Sequence, residues 1–172
     1  MQQKNIMAKI TLRGDEINTQ GNLPEVGSEA PLFTLTGPDM GAIAASDYQG
    51  KKYVVSISPS LDTGICQMTA KRFNKEVSEG LGAPIIHVTK DLPFATKRFC
   101  EAEGLEDVVV ASDYKTSDFA DAFGTLITDG PMAGLHSRAI VVVNEDGKVV
   151  YTEQVPEIVQ EPDYEAALAA LK

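Results

Sequence analysis

The sequence predicts an α/β domain in which helices flank a central mixed sheet, with a β-hairpin at the N-terminus. Two observations predict the sheet: charge-free, β-branched runs recur along the chain, and stretches with helical spacing separate them. Strands that alternate with helices form βαβ units with parallel strands, whereas a hairpin adds antiparallel ones. The 172 residues are interpreted as a single domain, since a domain typically has roughly 150 residues.

The first half of the chain supplies the hairpin and the first central strand. Residues 9–17 alternate apolar and polar side chains around a Gly-Asp turn, which is the pattern of a hairpin. The short run 32–35 predicts another strand. Residues 53–57 carry no charge, as expected for a strand that is buried on both faces. Apolar residues then recur with helical spacing and predict a helix over 66–77.

The second half continues the alternation of strands and helices. The predicted elements there are strands at 84–89 and 108–110, a helix at 118–123, a hairpin formed by 139–143 and 149–152, and a final amphipathic helix at 161–171. Asp91 is expected to cap one more short helix, with Pro93 in its first turn, where proline is tolerated, and Cys100 near its end.

The charge balance excludes some classes of partner. The chain carries 25 acidic and 15 basic residues, for a net charge of −10. Nucleic acids and anionic membranes both need a basic surface, so neither is expected as a partner. No apolar run approaches the roughly 20 residues of a membrane helix, and the N-terminus lacks the apolar core of a signal peptide. A cytoplasmic protein is therefore expected, with residues 1–6 disordered or dispensable because Met7 is a second plausible start.

The stretch from Pro59 to Cys66 marks the passage from a buried strand to a helix. A cysteine in the first turn of a helix lies near free backbone N–H groups and the positive end of the helix dipole. Both favour the thiolate, which is the reactive form. Asp62 or Thr63 can act as N-cap, and the Thr63 hydroxyl lies close enough in sequence to donate to the sulfur. This pattern is typical of a nucleophile.

Three segments resemble one known family. Residues 59–66 read Pro-Ser-Leu-Asp-Thr-Gly-Ile-Cys and contain Pro-x-x-x-Thr-x-x-Cys, the peroxidatic motif of peroxiredoxins, in the form found in their thiol peroxidase branch. Residues 91–100 resemble the part of that branch that carries the resolving cysteine. Residues 161–168 also match. The resemblance extends from about Leu12 to the C-terminus.

The resemblance implies a thioredoxin-like fold and a thioredoxin-dependent peroxidase that acts on hydrogen peroxide and alkyl hydroperoxides, without a cofactor. It implies that Cys66 attacks the peroxide and becomes a sulfenic acid, and that Cys100 then forms an intramolecular disulfide with it. It also implies that Thr63 orients the peroxide, that Pro59 shields the sulfur from water, and that Arg138 holds thiolate and peroxide. Thioredoxin is the implied reductant and a homodimer the implied assembly.

Other interpretations compete with this one. Two cysteines by themselves are compatible with two inert buried thiols. A dithiol–disulfide oxidoreductase usually needs Cys-x-x-Cys, but Thr63 occupies the first of those positions. A redox sensor could form the Cys66–Cys100 bond without turnover. His87 and His136 lack any partner with zinc-like spacing and are interpreted as packing or surface histidines, so no metal site is expected.

Two features leave their role open. Lys90 adds a charge just before the second cysteine segment, where it can affect reductant docking or the unwinding of the helix. The loop 123–135 is unusually apolar. It is compatible with a collar for alkyl or lipid hydroperoxides, with a dimer contact, or with ordinary packing against the core.

Overall fold

The computed structural model describes residues 7–172, so the expectation for residues 1–6 lies outside the described range. Within that range the chain forms nine strands, four α-helices and a 3-10 helix. In chain order they are β1 (Lys9–Leu12), β2 (Asp15–Asn18), β3 (Thr34–Thr36), β4 (Ala42–Ala44), the 3-10 helix (Ala45–Tyr48), β5 (Tyr53–Ile57), α1 (Gly64–Ser78), β6 (Ile85–Thr89), α2 (Pro93–Glu103), β7 (Val109–Ser112), α3 (Asp118–Phe123), β8 (Ala139–Val143), β9 (Val149–Gln154) and α4 (Tyr164–Ala169).

Seven of these strands form one mixed sheet in the order β4-β3-β7-β6-β5-β8-β9. The central strands β5, β6 and β7 are parallel, whereas β3 and β8 pair antiparallel with both of their neighbours. β1 and β2 form a separate antiparallel hairpin. The predicted mixed sheet, flanking helices and N-terminal hairpin are therefore confirmed.

Each face of the sheet is covered by its own helices because alternate strand residues point to opposite sides. Val54 of β5 packs with Phe73 of α1 and Ala167 of α4, in a cluster that also receives residues of α2. Val55 packs on the other side, with Phe119 of α3. The strands β5, β6 and β8 are buried on both faces, which explains why they carry no acidic or basic residue other than His87.

The register of the sheet determines where the two loops that matter for function meet. β8 runs antiparallel to β5, and Ala139 at the start of β8 lies opposite Ile57 at the end of β5. The residue before β8, Arg138, therefore lies at the same edge of the sheet as the loop that follows β5. That loop leads into α1 and to Cys66.

The structure corrects two local predictions. The final helix is shorter than predicted, because Asp163 caps it by accepting a hydrogen bond from the Ala166 N–H at 3.0 Å. Asp91 does not cap α2; the N-cap is Leu92, whose side chain makes no capping bond. The Asp91 carboxylate instead contacts the loop after β5. β4 and the 3-10 helix that follows it were not predicted.

Candidate active site

Cys66 is a free thiol in the first turn of α1. The helix begins at Gly64 with Thr63 as its N-cap, so the cysteine is its third residue. Its side chain is fully buried. The backbone N–H groups of a first turn have no partner within the helix, and together with the dipole they favour negative charge at this position.

The guanidinium group of Arg138 places a positive charge next to the Cys66 sulfur. Its side chain is only 3% exposed, and its Nη1 donates a hydrogen bond to Cys66 Sγ at 3.4 Å. Its Nε donates to the backbone carbonyl of Ile158 at 2.9 Å. Because two donors of the rigid guanidinium are engaged in different directions, the cation is fixed next to the sulfur.

The N-terminal hairpin contributes to this arrangement through the backbone. The Ile158 N–H donates to the Thr11 carbonyl at 2.9 Å, and the Thr11 N–H donates to the Pro156 carbonyl at 2.7 Å. The hairpin thus fixes the segment around Ile158, and the Ile158 carbonyl in turn accepts the hydrogen bond from Arg138. Sequence reasoning missed Ile158, since a backbone carbonyl leaves no signal in residue type.

His87 lies on β6 between two serines of the neighbouring strand and loop. Its Nδ1 is 3.0 Å from Ser56 Oγ and its Nε2 is 2.8 Å from Ser58 Oγ. Burial, with a further contribution from the charge of Arg138, lowers the pKa of His87 to about 3. The ring is therefore neutral at physiological pH and serves to connect β5 with the start of the loop that leads to Cys66. His87 is not a surface histidine.

His136 belongs to a second buried network, two residues before Arg138. Its Nδ1 lies 2.9 Å from Thr125 Oγ1, and its Nε2 lies 2.8 Å from Asp113 Oδ2. Burial lowers the pKa of His136, and Asp113 opposes that shift. Lys90 also reaches this network, with its Nζ 3.1 Å from Asp113 Oδ2 and 2.9 Å from the Asp113 carbonyl oxygen. Lys90 therefore braces the end of β6 against the end of β7.

Thr63 and Pro59 both lie in the loop between β5 and α1. The Thr63 hydroxyl donates to the Ser60 carbonyl at 2.9 Å, so its proton is directed away from Cys66 in this structure. Thr63 is the N-cap of α1, one of the two residues expected there, but its side chain makes no capping hydrogen bond. Pro59 is buried, and Asp62 is exposed.

A cavity of about 370 Å³ opens onto these residues. Pro59, Thr63 and Arg138 line one part of its wall. Its remaining wall is largely apolar and comprises Leu12, Arg13, Gly64, Ile65, Met68, Met132, Ile158 and Val159. Met132 comes from the apolar loop 123–135, whose first half packs into the core through buried Phe123 and Ile127. The loop therefore combines core packing with a contribution to the cavity.

Cys100 is in a different environment, in the second half of α2. It is a free thiol of intermediate burial that packs at the margin of the α1, α2 and α4 cluster. Burial, followed by the negative charge of Glu101, raises the pKa of the Cys100 thiol. The Lys71–Glu103 ion pair of 2.7 Å connects α1 to α2. The two cysteines thus lie on neighbouring helices that are both fully formed.

Two features are absent from residues 7–172. No group of three or more His, Cys, Asp or Glu side chains in this range is arranged to hold a metal ion. No helix in the described range is long and apolar enough to cross a membrane.

Comparisons with known proteins agree with this geometry. Residues 25–168 match the Redoxin family model. A thiol peroxidase of Mycobacterium tuberculosis is 56% identical over 165 residues, covering 96% of this chain and 99% of the relative. A thiol peroxidase of Corynebacterium glutamicum is 43% identical with the same coverage. A peroxiredoxin-like protein from Aquifex aeolicus superposes with a TM-score of 0.89 at 34% identity, covering 95% of both chains.

A buried helix-start cysteine beside an arginine, on a sheet of this topology, defines a thiol-based redox protein. The chain belongs to the redoxin family, and within it to the thiol peroxidases among the peroxiredoxins. Its class therefore reduces peroxides with a cysteine thiol.

Proposed function

We propose that this thiol peroxidase reduces hydrogen peroxide and alkyl hydroperoxides with Cys66 as the attacking residue and Cys100 as the resolving residue. The observation that carries the proposal is the contact of 3.4 Å between Arg138 Nη1 and the buried Cys66 sulfur at the start of α1. A fixed cation and free helix N–H groups stabilise negative charge on that sulfur. They also stabilise the charge that develops on a peroxide as its O–O bond breaks.

In the first step the Cys66 thiolate attacks one peroxide oxygen. An S–O bond forms, the O–O bond breaks, and the departing oxygen takes a proton and leaves as water or an alcohol. The sulfur becomes a sulfenic acid. Arg138 contacts the reacting sulfur, whereas the Thr63 hydroxyl must turn from the Ser60 carbonyl to reach a bound peroxide. Pro59, which is buried and lines the cavity, limits access of water to the sulfur.

In the second step the Cys100 thiolate attacks the sulfenic sulfur, and the oxygen leaves as water. A disulfide requires Cα atoms within about 7 Å. Cys66 is fully buried and both cysteines lie on formed helices, so the proposal includes local unwinding of at least one helix before the bond forms. The apolar wall of the cavity supports alkyl hydroperoxides as substrates in addition to hydrogen peroxide.

Thioredoxin as the reductant and a homodimer as the assembly complete the proposal, and both come from the family resemblance. Two free thiols suit a reducing compartment, which favours the cytoplasm. Light scattering measures the assembly. Turnover with thioredoxin, its reductase and NADPH, compared with glutathione, measures the reductant.

The decisive experiment combines intact mass with thiol counting after one equivalent of peroxide. The wild type is expected to lose both thiols and two hydrogens without crosslinking between chains. Cys66→Ser is expected to consume no peroxide. Cys100→Ser is expected to complete one turnover and then stop. Sustained turnover of Cys100→Ser with thioredoxin would remove Cys100 from the cycle, and peroxide consumption by Cys66→Ser would remove Cys66.

A further inference from the structure

The Asp91 carboxylate bonds the loop before Cys66 to the start of the helix that carries Cys100. Asp91 lies between the end of β6 and the start of α2, the helix that carries Cys100. Its Oδ1 accepts a hydrogen bond from the Ser60 hydroxyl at 2.8 Å, and its Oδ2 accepts one from the Leu61 N–H at 2.7 Å. Both donors belong to the loop that leads to Cys66. Sequence reasoning assigned this carboxylate to the cap of α2, which it does not form.

Asp91 is itself held firmly on the sheet. The Thr89 hydroxyl donates to its Oδ2 at 3.0 Å and accepts from its N–H at 3.1 Å. The Ser112 hydroxyl donates to its carbonyl oxygen. Lys90, the adjacent residue, is bound to Asp113 at the end of β7. Because the backbone around Asp91 is fixed by these hydrogen bonds, the carboxylate is a stationary acceptor to which the loop between β5 and α1 attaches.

A cavity of about 210 Å³ lies between the loop and α2. It is lined by Leu61 and Asp62 on the side of the loop and by Ala95, Arg98 and Phe99 of α2. Leu61 also belongs to the core cluster against which Phe99 and Cys100 pack. The hydrogen bonds to the Asp91 carboxylate add a directional connection to this apolar packing.

We propose that Asp91 is a positioning residue that latches the Cys66 loop to the base of the Cys100 helix and thereby sets the rate of the resolving step. The inference rests on the proposed function, because it concerns the attack of Cys100 on the Cys66 sulfenic acid. In the latched form the sulfur is presented to peroxide. Release of Ser60 and Leu61 from the carboxylate lets the first turn of α1 unwind, so that the sulfurs can meet.

Weakening the latch accelerates the resolving step and slightly slows the reaction with peroxide. Minor open states of proteins are commonly populated at about 0.1–10%. If the open state rises from about 1% to about 10%, the resolving step becomes about ten times faster, while the closed form that reacts with peroxide falls only to about nine tenths. A hydrogen bond to a charged group is strong enough for such a change. General damage to the fold would instead slow both steps.

The experiment compares Asp91→Ala and Ser60→Ala with the wild type. Asp146→Ala is the matched control, since it removes the same charge from an exposed turn between β8 and β9. Rapid acid quench after one equivalent of peroxide, followed by intact mass, gives the rates of sulfenic acid and disulfide formation separately. Excess peroxide then gives the dose at which half of the chains gain two oxygens at Cys66 as sulfinic acid, the product that competes with the disulfide.

The latch predicts that the disulfide forms about tenfold faster in Asp91→Ala and about threefold faster in Ser60→Ala. In both variants the first step should be nearly unchanged, and a higher dose of peroxide should be needed to form sulfinic acid. Asp146→Ala should behave like the wild type. Unchanged or slower disulfide formation in the two loop variants overturns the latch, as does equal acceleration in Asp146→Ala. If Asp91→Ala fails to fold by circular dichroism, Ser60→Ala decides alone. Absence of the disulfide in the wild type would instead refute the proposed resolving step.

Discussion

The two cysteines of this protein carry the same side chain in opposite surroundings. Cys66 is fully buried at the start of a helix, with Arg138 Nη1 at 3.4 Å. Cys100 is half-buried in the second half of a helix, and burial together with Glu101 raises the pKa of its thiol. The first environment places a fixed cation and the start of a helix beside the sulfur, whereas the second places the thiol next to a negative charge. Reactivity is thus assigned by position in the fold and not by residue type.

This contrast agrees with the proposed order of the two steps, in which Cys66 reacts first and Cys100 second. In the proposed mechanism the environment of Cys66 favours attack while both helices are folded, and that of Cys100 disfavours it. If the unwinding extends to α2, Cys100 becomes exposed to water and loses the burial that raises the pKa of its thiol, so that pKa falls toward the ordinary value. The same local event would therefore bring the second sulfur into reach and make it nucleophilic.

The largest expected effect comes from removing the cation that distinguishes the two sites. Arg138→Met is expected to slow the reaction of Cys66 with peroxide by about 10³, the upper range for loss of one preorganised donor. Arg138→Lys should recover part of this rate, because lysine keeps the charge but cannot reach both the Ile158 carbonyl and the sulfur with one planar group. The chain contains no tryptophan, so the measurement is rapid quench with intact mass.

Arg72→Met is the control for that variant. Arg72 lies on the same helix as Cys66 but is bound to Glu76 and Glu165 at the surface. Its loss should leave the peroxide rate nearly unchanged. An equal loss of rate in both variants would mean that the overall charge, and not the fixed contact of Arg138 with the sulfur, produces the effect.

A smaller loss is expected from Thr63→Val, which keeps the shape of the side chain and removes its hydroxyl. The first step should slow by about 10² if that hydroxyl turns toward the peroxide. Thr63→Ser should retain most of the rate. Because the hydroxyl also donates to the Ser60 carbonyl, thermal unfolding of both variants must be recorded. A slow but equally stable Thr63→Val separates a role in the reaction from a role in the loop.

The buried His87, whose partner Ser58 lies in the loop before Cys66, makes the stability of the protein depend on pH. Its pKa is lowered from 6.5 to about 3 in the folded protein, so the unfolded state binds more protons below pH 6.5. The contribution of neutral His87 to the free energy of unfolding is therefore fully present above pH 6.5 and is lost as the pH falls toward about 3. Between about pH 7 and about pH 5 the free energy of unfolding should fall by on the order of 2 kcal/mol from this group.

His87→Gln removes the titrating group and serves as the comparison. Urea unfolding at several pH values should give a shallower decline for this variant than for the wild type, even if its stability at neutral pH is lower. The remaining decline would belong to His136, whose pKa is also lowered, and to the carboxylates. Parallel curves for the two proteins would contradict a buried, neutral His87.

The smallest expected effect comes from changing the charge next to Cys100. Glu101→Gln removes a negative charge that raises the pKa of the Cys100 thiol. Alkylation of Cys100 near neutral pH should become about threefold faster, because interactions between partly exposed charges are weak. Glu106→Gln, a change of the same charge at an exposed residue beyond the end of α2, should have less effect. Peptide mapping after iodoacetamide gives the two cysteine rates separately.

Much of the fold could be read from local patterns. The charge-free run 53–57 and the hairpin 139–152 appear almost where they were predicted, because burial on both faces and turn residues leave strong local signals. β4 was missed because Ala42–Ala44 is only three residues long and has little β-propensity. The placement of Arg138 beside Cys66 was expected from the family resemblance. From residue pattern alone, an arginine at a strand end usually reaches into water.

The sequence by itself determined that a cysteine follows a buried strand and opens a helix, since strand and helix periodicity and the Pro59–Cys66 motif are local properties. Only the tertiary structure decided what surrounds that sulfur. The antiparallel register of β5 and β8, the Ile158 carbonyl that orients Arg138, and the Asp91 carboxylate that ties the Cys66 loop to α2 all join residues distant in sequence. Their positions depend on how strands pair, and strand pairing is a property of the whole chain.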